Sequence, residues 1–179
     1  MKQINTLREY IYWSYANLGM AHAAINLGDV EYKCLHYMIR AKMYKGFLTG
    51  SMSVASIVDD EKCKISQGAM CTYCHTTENL VADHIVPKFL GGGNVAENIV
   101  CACRSCNSSK GKKDLLEWYA YRNEFPPLLI LRRYLKLVIR YIEENDLGDC
   151  LVEQIKSLDT PFRLDLIPLD YPLPSEIRL

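Results

Sequence analysis

Cys71-Thr72-Tyr73-Cys74 and Cys103-Arg104-Ser105-Cys106-Asn107 bracket the stretch Val81-Ala82-Asp83-His84-Ile85-Val86-Pro87, with Gly91-Gly92-Gly93 inside the same bracket. The two C-x2-C pairs are separated by 28 residues. Each pair can set two thiolates on one side of a tight turn, and two such turns complete a tetrahedral Zn2+ site. Four thiolates leave no open coordination position, so the expected role of Cys71, Cys74, Cys103 and Cys106 is structural. Such a staple joins the ends of a motif too small to hold itself together by apolar burial. Cys101 could stand in for Cys103, but C-x2-C fits better than C-x4-C, and His75 is expected to be a bystander. The chain carries eight cysteines. No secretory signal is expected, because the start MKQINTLREYIYW lacks an uninterrupted apolar run. In a reducing cytoplasm the paired cysteines then read as metal ligands rather than disulfides. The scattered Cys34, Cys63, Cys101 and Cys150 read as small buried hydrophobes.

Between the pairs, the alternation before Asp83 and the run Ile99-Val100-Cys101 suggest two strands joined by the glycine loop. Downstream, 105–121 reads as one helix with Leu115, Leu116, Trp118 and Tyr119 on its core face. A strand–loop–strand–helix path would bring Asp83 towards Asn107 at the helix start. A carboxylate and an amide oxygen are hard ligands suited to Mg2+ or Mn2+, leaving positions open for water and phosphate. A histidine beside such a ligand titrates near neutral pH and can take a proton from attacking water. Asn98 could fix its ring and tautomer by a hydrogen bond. The residue types therefore suit phosphodiester hydrolysis.

The stretch CTYC…ADHIVPKFLGGGNVAENIVCACRSCNSSKGKKDLLEW resembles the HNH nuclease family of the zinc-stapled ββα-metal type. The matching positions are Asp83-His84, Pro87 with the glycine loop, Asn98, and the CxxCNxxK helix start. The resemblance implies a catalytic set of His84 as general base, Asp83 and Asn107 as ligands of a catalytic Mg2+ or Mn2+, and Asn98 orienting His84. It implies a metal-dependent endonuclease acting on DNA and leaving 3′-hydroxyl and 5′-phosphate ends, in settings such as restriction, phage defence or a mobile element. RNA stays open as a substrate. Two other readings stand beside it: the nuclease subunit of a larger complex, and a zinc-knuckle nucleic-acid-binding protein without catalysis. The second needs neither Asp83-His84 nor Asn107. Lys110, Lys112 and Lys113, at the beginning of the helix, are expected to contact phosphate.

The fold class expected is α+β, a ββα-metal core at 67–122 between a helical region at 1–66 and a helical region with an extended acidic tail at 123–179. In the first region Ile4, Leu7, Ile11, Leu18, Ala21 and Ile25 form one helical stripe, and Val30, Cys34, Tyr37, Met38, Ala41 and Leu48 a second. A break at Gly28-Asp29 makes an antiparallel hairpin. Its tyrosines could stack on bases, but at this spacing they more often pack half-buried. The stretch 51–66 reads equally as a short strand or a helix. Residues 126–145 open on two prolines and show strong helical periodicity, with a further short helix near 149–158. The proline-punctuated end is expected to be an extended arm.

Nearly half of the 179 residues are hydrophobic (49%), enough for a core. Net charge is zero. From Asp146 onward there are seven acids and three bases, which leaves 18 basic and 14 acidic residues in 1–145. The tail is acidic and the rest mildly basic, which permits nucleic-acid contact without requiring it. Arg132, Lys136 and Arg140 recur at i, i+4, i+8, a stripe that could track a DNA backbone. No membrane span is expected, and the location expected is cytoplasmic. A homodimer or protein partner could dock through the helical flanks.

Overall fold

The first helix, α1 (Leu7–Asn26), begins where Thr6 can cap it. Its hydroxyl accepts the Glu9 N–H at 3.3 Å, and the Glu9 carboxylate accepts the Thr6 N–H in return, so two otherwise orphaned donors are satisfied reciprocally. Gly28, at φ 71°, reverses the chain into α2 (Cys34–Leu48). The two helices pack as the hairpin the sequence suggests. Tyr12 and Tyr15 set their rings 5.5 and 5.7 Å from Phe47, and Trp13 meets Tyr44 edge-on at 5.2 Å. These aromatics are packing residues. The computed structural model describes residues 4–54 and 69–179. Most of the ambiguous 51–66 stretch, with Cys63, lies outside the described residues.

The α+β core follows. Strands β1 (Leu80–His84) and β2 (Ile99–Cys103) pair antiparallel, with Leu80 opposite Cys103 and His84 opposite Ile99. The connection needs a glycine at 92: a Cβ there would sit 1.9 Å from the Val86 carbonyl oxygen, where the Gly92 N–H reaches Pro87 O at 3.1 Å. After β2, the single helix expected over 105–121 is two. Helix α3 (Arg104–Lys110) stops at Gly111, whose φ of 53° and ψ of −124° leave the helical region. Asp114 then starts α4 (Leu115–Tyr121), its Oδ1 accepting the N–H groups of Leu116 and Glu117. Gly111 and Asp114 are ordinary helix stop and start residues. The reading by apolar face alone passed over them.

Helix α5 (Leu128–Glu144) buries Leu128, Leu131, Leu135, Val138 and Ile142 and packs on α1. It also grips the α+β core. Tyr134 donates to Asp114 Oδ2 at 2.8 Å, and Arg133 places Nη2 2.9, 2.8 and 3.1 Å from the carbonyl oxygens of Ala96, Glu97 and Ile99. Those carbonyls belong to the turn that feeds β2. Arg133→Met should lower stability by about 2–3 kcal/mol, the order of one charged hydrogen-bonding group lost from a buried site. The urea midpoint should fall at unchanged slope.

The end of the chain is not the free arm expected. Short 3-10 turns run through it, and Ile155, Phe162, Leu164, Ile167 and Ile177 are buried. Prolines forbid a regular ladder, yet the intervening carbonyls still find donors. Tyr10 donates to Ile167 O at 3.0 Å, Asn17 to Leu169 O at 2.8 Å, and Tyr32 to Pro172 O at 2.8 Å. The tail laces α1 to the rest of the core. Among the described residues no helix is long and apolar enough to cross a membrane.

Candidate active site and thiolate cluster

The first knuckle is a tight turn in which the His75 N–H donates to Cys71 O at 2.8 Å and His75 takes a left-handed φ of 65°. The Thr72 N–H donates to Cys101 O at 2.8 Å, so the turn is tied to β2. The second knuckle is the junction of β2 with α3. Its four-residue geometry directs the Cys106 N–H at Cys103 Sγ, 3.4 Å away. The outcome is a cluster in which the ligand atoms of Cys71, Cys74, Cys103 and Cys106 all lie within 4.8 Å of one another. Cys101 and His75 are not in it. Hydrogen bonding from Cys106 draws the Cys103 thiol down to about 7, while burial pushes the Cys106 and Cys74 thiols up. Four convergent thiols form a soft, closed donor set that could hold a zinc ion.

Ten residues on from the first knuckle, β1 delivers Asp83 and His84. Asp83 is 7% exposed and is held by its protein neighbours. Tyr73 donates to Oδ2 at 2.7 Å, Lys110 Nζ lies 3.4 Å from the same oxygen, and the His84 backbone N–H donates to Oδ1 at 2.7 Å. Burial, with Asp83 alongside, holds the Tyr73 phenol well above its ordinary range, so it stays a neutral donor. Burial lowers the Lys110 ammonium, and Asp83 opposes that shift. Lys110 also donates to the His84 carbonyl at 2.6 Å.

The His84 ring is half-buried and turns the other way, with Nε2 2.8 Å from Asn94 Oδ1 on the loop after the glycines. Asn98 does not touch it. Its side chain is buried, accepting the Val86 N–H at 2.8 Å and donating to Val86 O and Gly93 O at 3.0 Å each. The expected orienting role therefore needs correction: Asn98 holds the backbone two residues after the histidine, and Asn94 holds the ring. Helix α3 packs over both strands. Lys110 reaches Asp83 from it, and Asn107, half-buried, lies one turn earlier in the same helix.

A second correction concerns Lys110. Its side chain is 0% exposed and ion-paired, so it has no surface from which to contact phosphate. Lys112 and Lys113 remain exposed, Lys112 lying 4.7 Å over the Phe89 ring. Phe89 itself is exposed beside the glycine loop. Along α5, Arg140 approaches Glu97 at 3.8 Å, and Arg132 and Lys136 are half-buried. That stripe partly serves internal contacts.

Residues 71–115 match the family model for HNH endonucleases. Over these residues the core is similar to HNH endonucleases. Over 56 residues the chain is 41% identical to the CRISPR-associated endonuclease Cas9 of Corynebacterium diphtheriae. That similarity covers 29% of this chain and 5% of that protein. No solved structure matches the chain. The HNH match ends at the start of α4, so the helical hairpin, α5 and the laced tail lie outside it. Three residues that shape this core carry no signal in the sequence: Tyr73 stands as a spacer between two cysteines, Asn94 is one residue of a loop, and Arg133 adjoins the basic stripe Arg132, Lys136 and Arg140.

Proposed function

We propose that this protein is a divalent-metal-dependent endonuclease that hydrolyses phosphodiester bonds in DNA. The observation that carries the reading is the end of β1, where a buried carboxylate is followed in sequence by a half-exposed imidazole on a strand pinned to a four-thiol cluster. Zn2+ fits the four thiolates, and its role there is structural. Asp83 and the amide oxygen of Asn107 are hard donors of the kind that would hold Mg2+ or Mn2+, which when bound would neutralise charge on the scissile phosphate and on the departing oxygen.

Asn94 Oδ1 is an acceptor, so the Nε2 that faces it carries the proton. Nδ1 of His84 is then the nitrogen with a free lone pair. It takes a proton from water as the water oxygen bonds to phosphorus; the P–O3′ bond breaks, and the departing 3′-oxygen takes up a proton from solvent, leaving a 3′-hydroxyl and a 5′-phosphate. Lys112 and Lys113, exposed on the loop after α3, would neutralise flanking phosphates. If Asn94 sets the tautomer, Asn94→Ala should lower turnover by roughly tenfold, the worth of about one hydrogen bond in the transition state. Comparison of single-turnover rates with wild type checks it.

The test of the reading is digestion of a panel of double- and single-stranded DNA and RNA with Mg2+ or Mn2+, product ends mapped, beside His84→Ala. Absence of cutting by wild-type protein on every substrate would remove it. A second reading, the nuclease subunit of a larger assembly, is favoured by the turn of the helical hairpin, which exposes Leu27, Val30, Leu35 and Met38. Light scattering behind size exclusion distinguishes a monomer from a self-assembly.

A further inference from the structure

A carboxylate offers about four lone-pair positions. On Asp83, Tyr73 Oη and Lys110 Nζ both address Oδ2, and the His84 N–H occupies one position on Oδ1. One position is left, on Oδ1. Neither partner of Oδ2 is explained by packing alone. Tyr73 is 1% exposed and stacks edge-on against Trp118 at 5.2 Å, and phenylalanine would do the same. Lys110 fills a site that methionine would fill without desolvating a charge, and a buried ammonium is costly unless paired. Its second hydrogen bond goes to the carbonyl of His84. One ammonium thus touches the residue read as metal ligand and the residue read as base. Tyr73 in turn lies between Cys71 and Cys74, so the thiolate turn is joined to the carboxylate through a single side chain.

Resting on the function proposed above, we propose that Tyr73 and Lys110 are positioning residues for the divalent-cation site, holding Oδ2 of Asp83 inward so that Oδ1 alone is offered to the cation. Partners of this kind tune ligand affinity without contacting the ion.

The experiment titrates Mn2+ into the zinc-loaded full chain by calorimetry, comparing wild type, Tyr73→Phe, Lys110→Met and Asn107→Ala. Tyr73→Phe and Lys110→Met should each weaken Mn2+ binding by about 10- to 100-fold. Zinc stoichiometry of Tyr73→Phe should stay that of wild type, and its melting temperature should fall only by the few degrees that one buried hydrogen bond is worth. Turnover of Tyr73→Phe should fall at low Mn2+ and recover as Mn2+ is raised, a split that a simply misfolded variant does not show. Wild-type Mn2+ affinity in Tyr73→Phe, with weakened binding in Asn107→Ala, would overturn the clamp and leave the site reading intact. Unchanged binding in Asn107→Ala, or none by wild type, would instead remove the site reading and the clamp with it. Should Lys110→Met fail to fold, Tyr73→Phe decides alone.

Discussion

Replacing His84 with alanine should leave a folded, zinc-bound protein that cuts DNA about 10²- to 10⁴-fold more slowly, the range expected for loss of a general base. The substitution is clean because of what the side chain does not hold. Asp83 and Lys110 both bind the backbone of residue 84, not its ring. Among the described residues the ring itself has one hydrogen bond, to Asn94 on a loop. Removing it therefore costs little stability, and the melting temperature and zinc content should match wild type. Asp83→Ala would be a poorer test. It strips Lys110 of its counter-charge, and an unpaired buried cation costs about 3–5 kcal/mol, enough to confuse lost activity with lost fold. Equal nicking of plasmid by wild type and His84→Ala would show that the proton is taken by another group.

The parts of this site that could be read from sequence are those where chemistry depends on local spacing. Two C-x2-C turns define a thiolate cluster wherever the intervening chain goes, because each pair needs only its own turn. Asp83-His84 on a strand is legible for the same reason: period-two alternation sends one side chain inward and leaves the next at the surface. The roles of Lys110 and Asn98 depended instead on what lay across the fold. Lys110 stands in a row with Lys112 and Lys113 that reads as one solvated run. Helix α3 turns Lys110 into the core, and Gly111 ends the helix before the other two. Asn98 is near the histidine in any ββα path, but only the structure shows that its amide is consumed by Val86 and Gly93. The tail misled for a different reason. Prolines exclude helix and sheet ladders, and the absence of regular structure was equated with the absence of packing. Carbonyls of residues 167–172 nevertheless accept from Tyr10, Asn17 and Tyr32 on the helical hairpin. Those donors lie more than 130 residues earlier in the chain, too distant for any pattern in the tail to reveal.

Cys74→Ser should release the metal and yield protein that unfolds or aggregates, a larger structural effect than any other single change considered. Free energies of about 10–16 kcal/mol accompany zinc binding in small thiolate motifs, whereas a whole domain is stable by about 5–15 kcal/mol. Losing even half of the former removes much of the latter. The two-stranded sheet cannot compensate, since a lone pair of five-residue strands is marginal in water. Nor is the damage confined to the surface where Cys74 lies. Cys71, Cys103 and Cys106 are buried in the same apolar cluster as Trp118, Tyr73 and Tyr134, so without the ion polar thiols and thiolates face one another inside that core. Burial already opposes ionisation of Cys106 and Cys74, and a cation is what makes four thiolates there affordable. Elemental analysis of the purified variant, with its thermal melt, gives the answer. Recovery of zinc-free Cys74→Ser that melts at the wild-type temperature would mean that the helical hairpin and α5 hold the strands without the staple, and that the cluster has some other purpose.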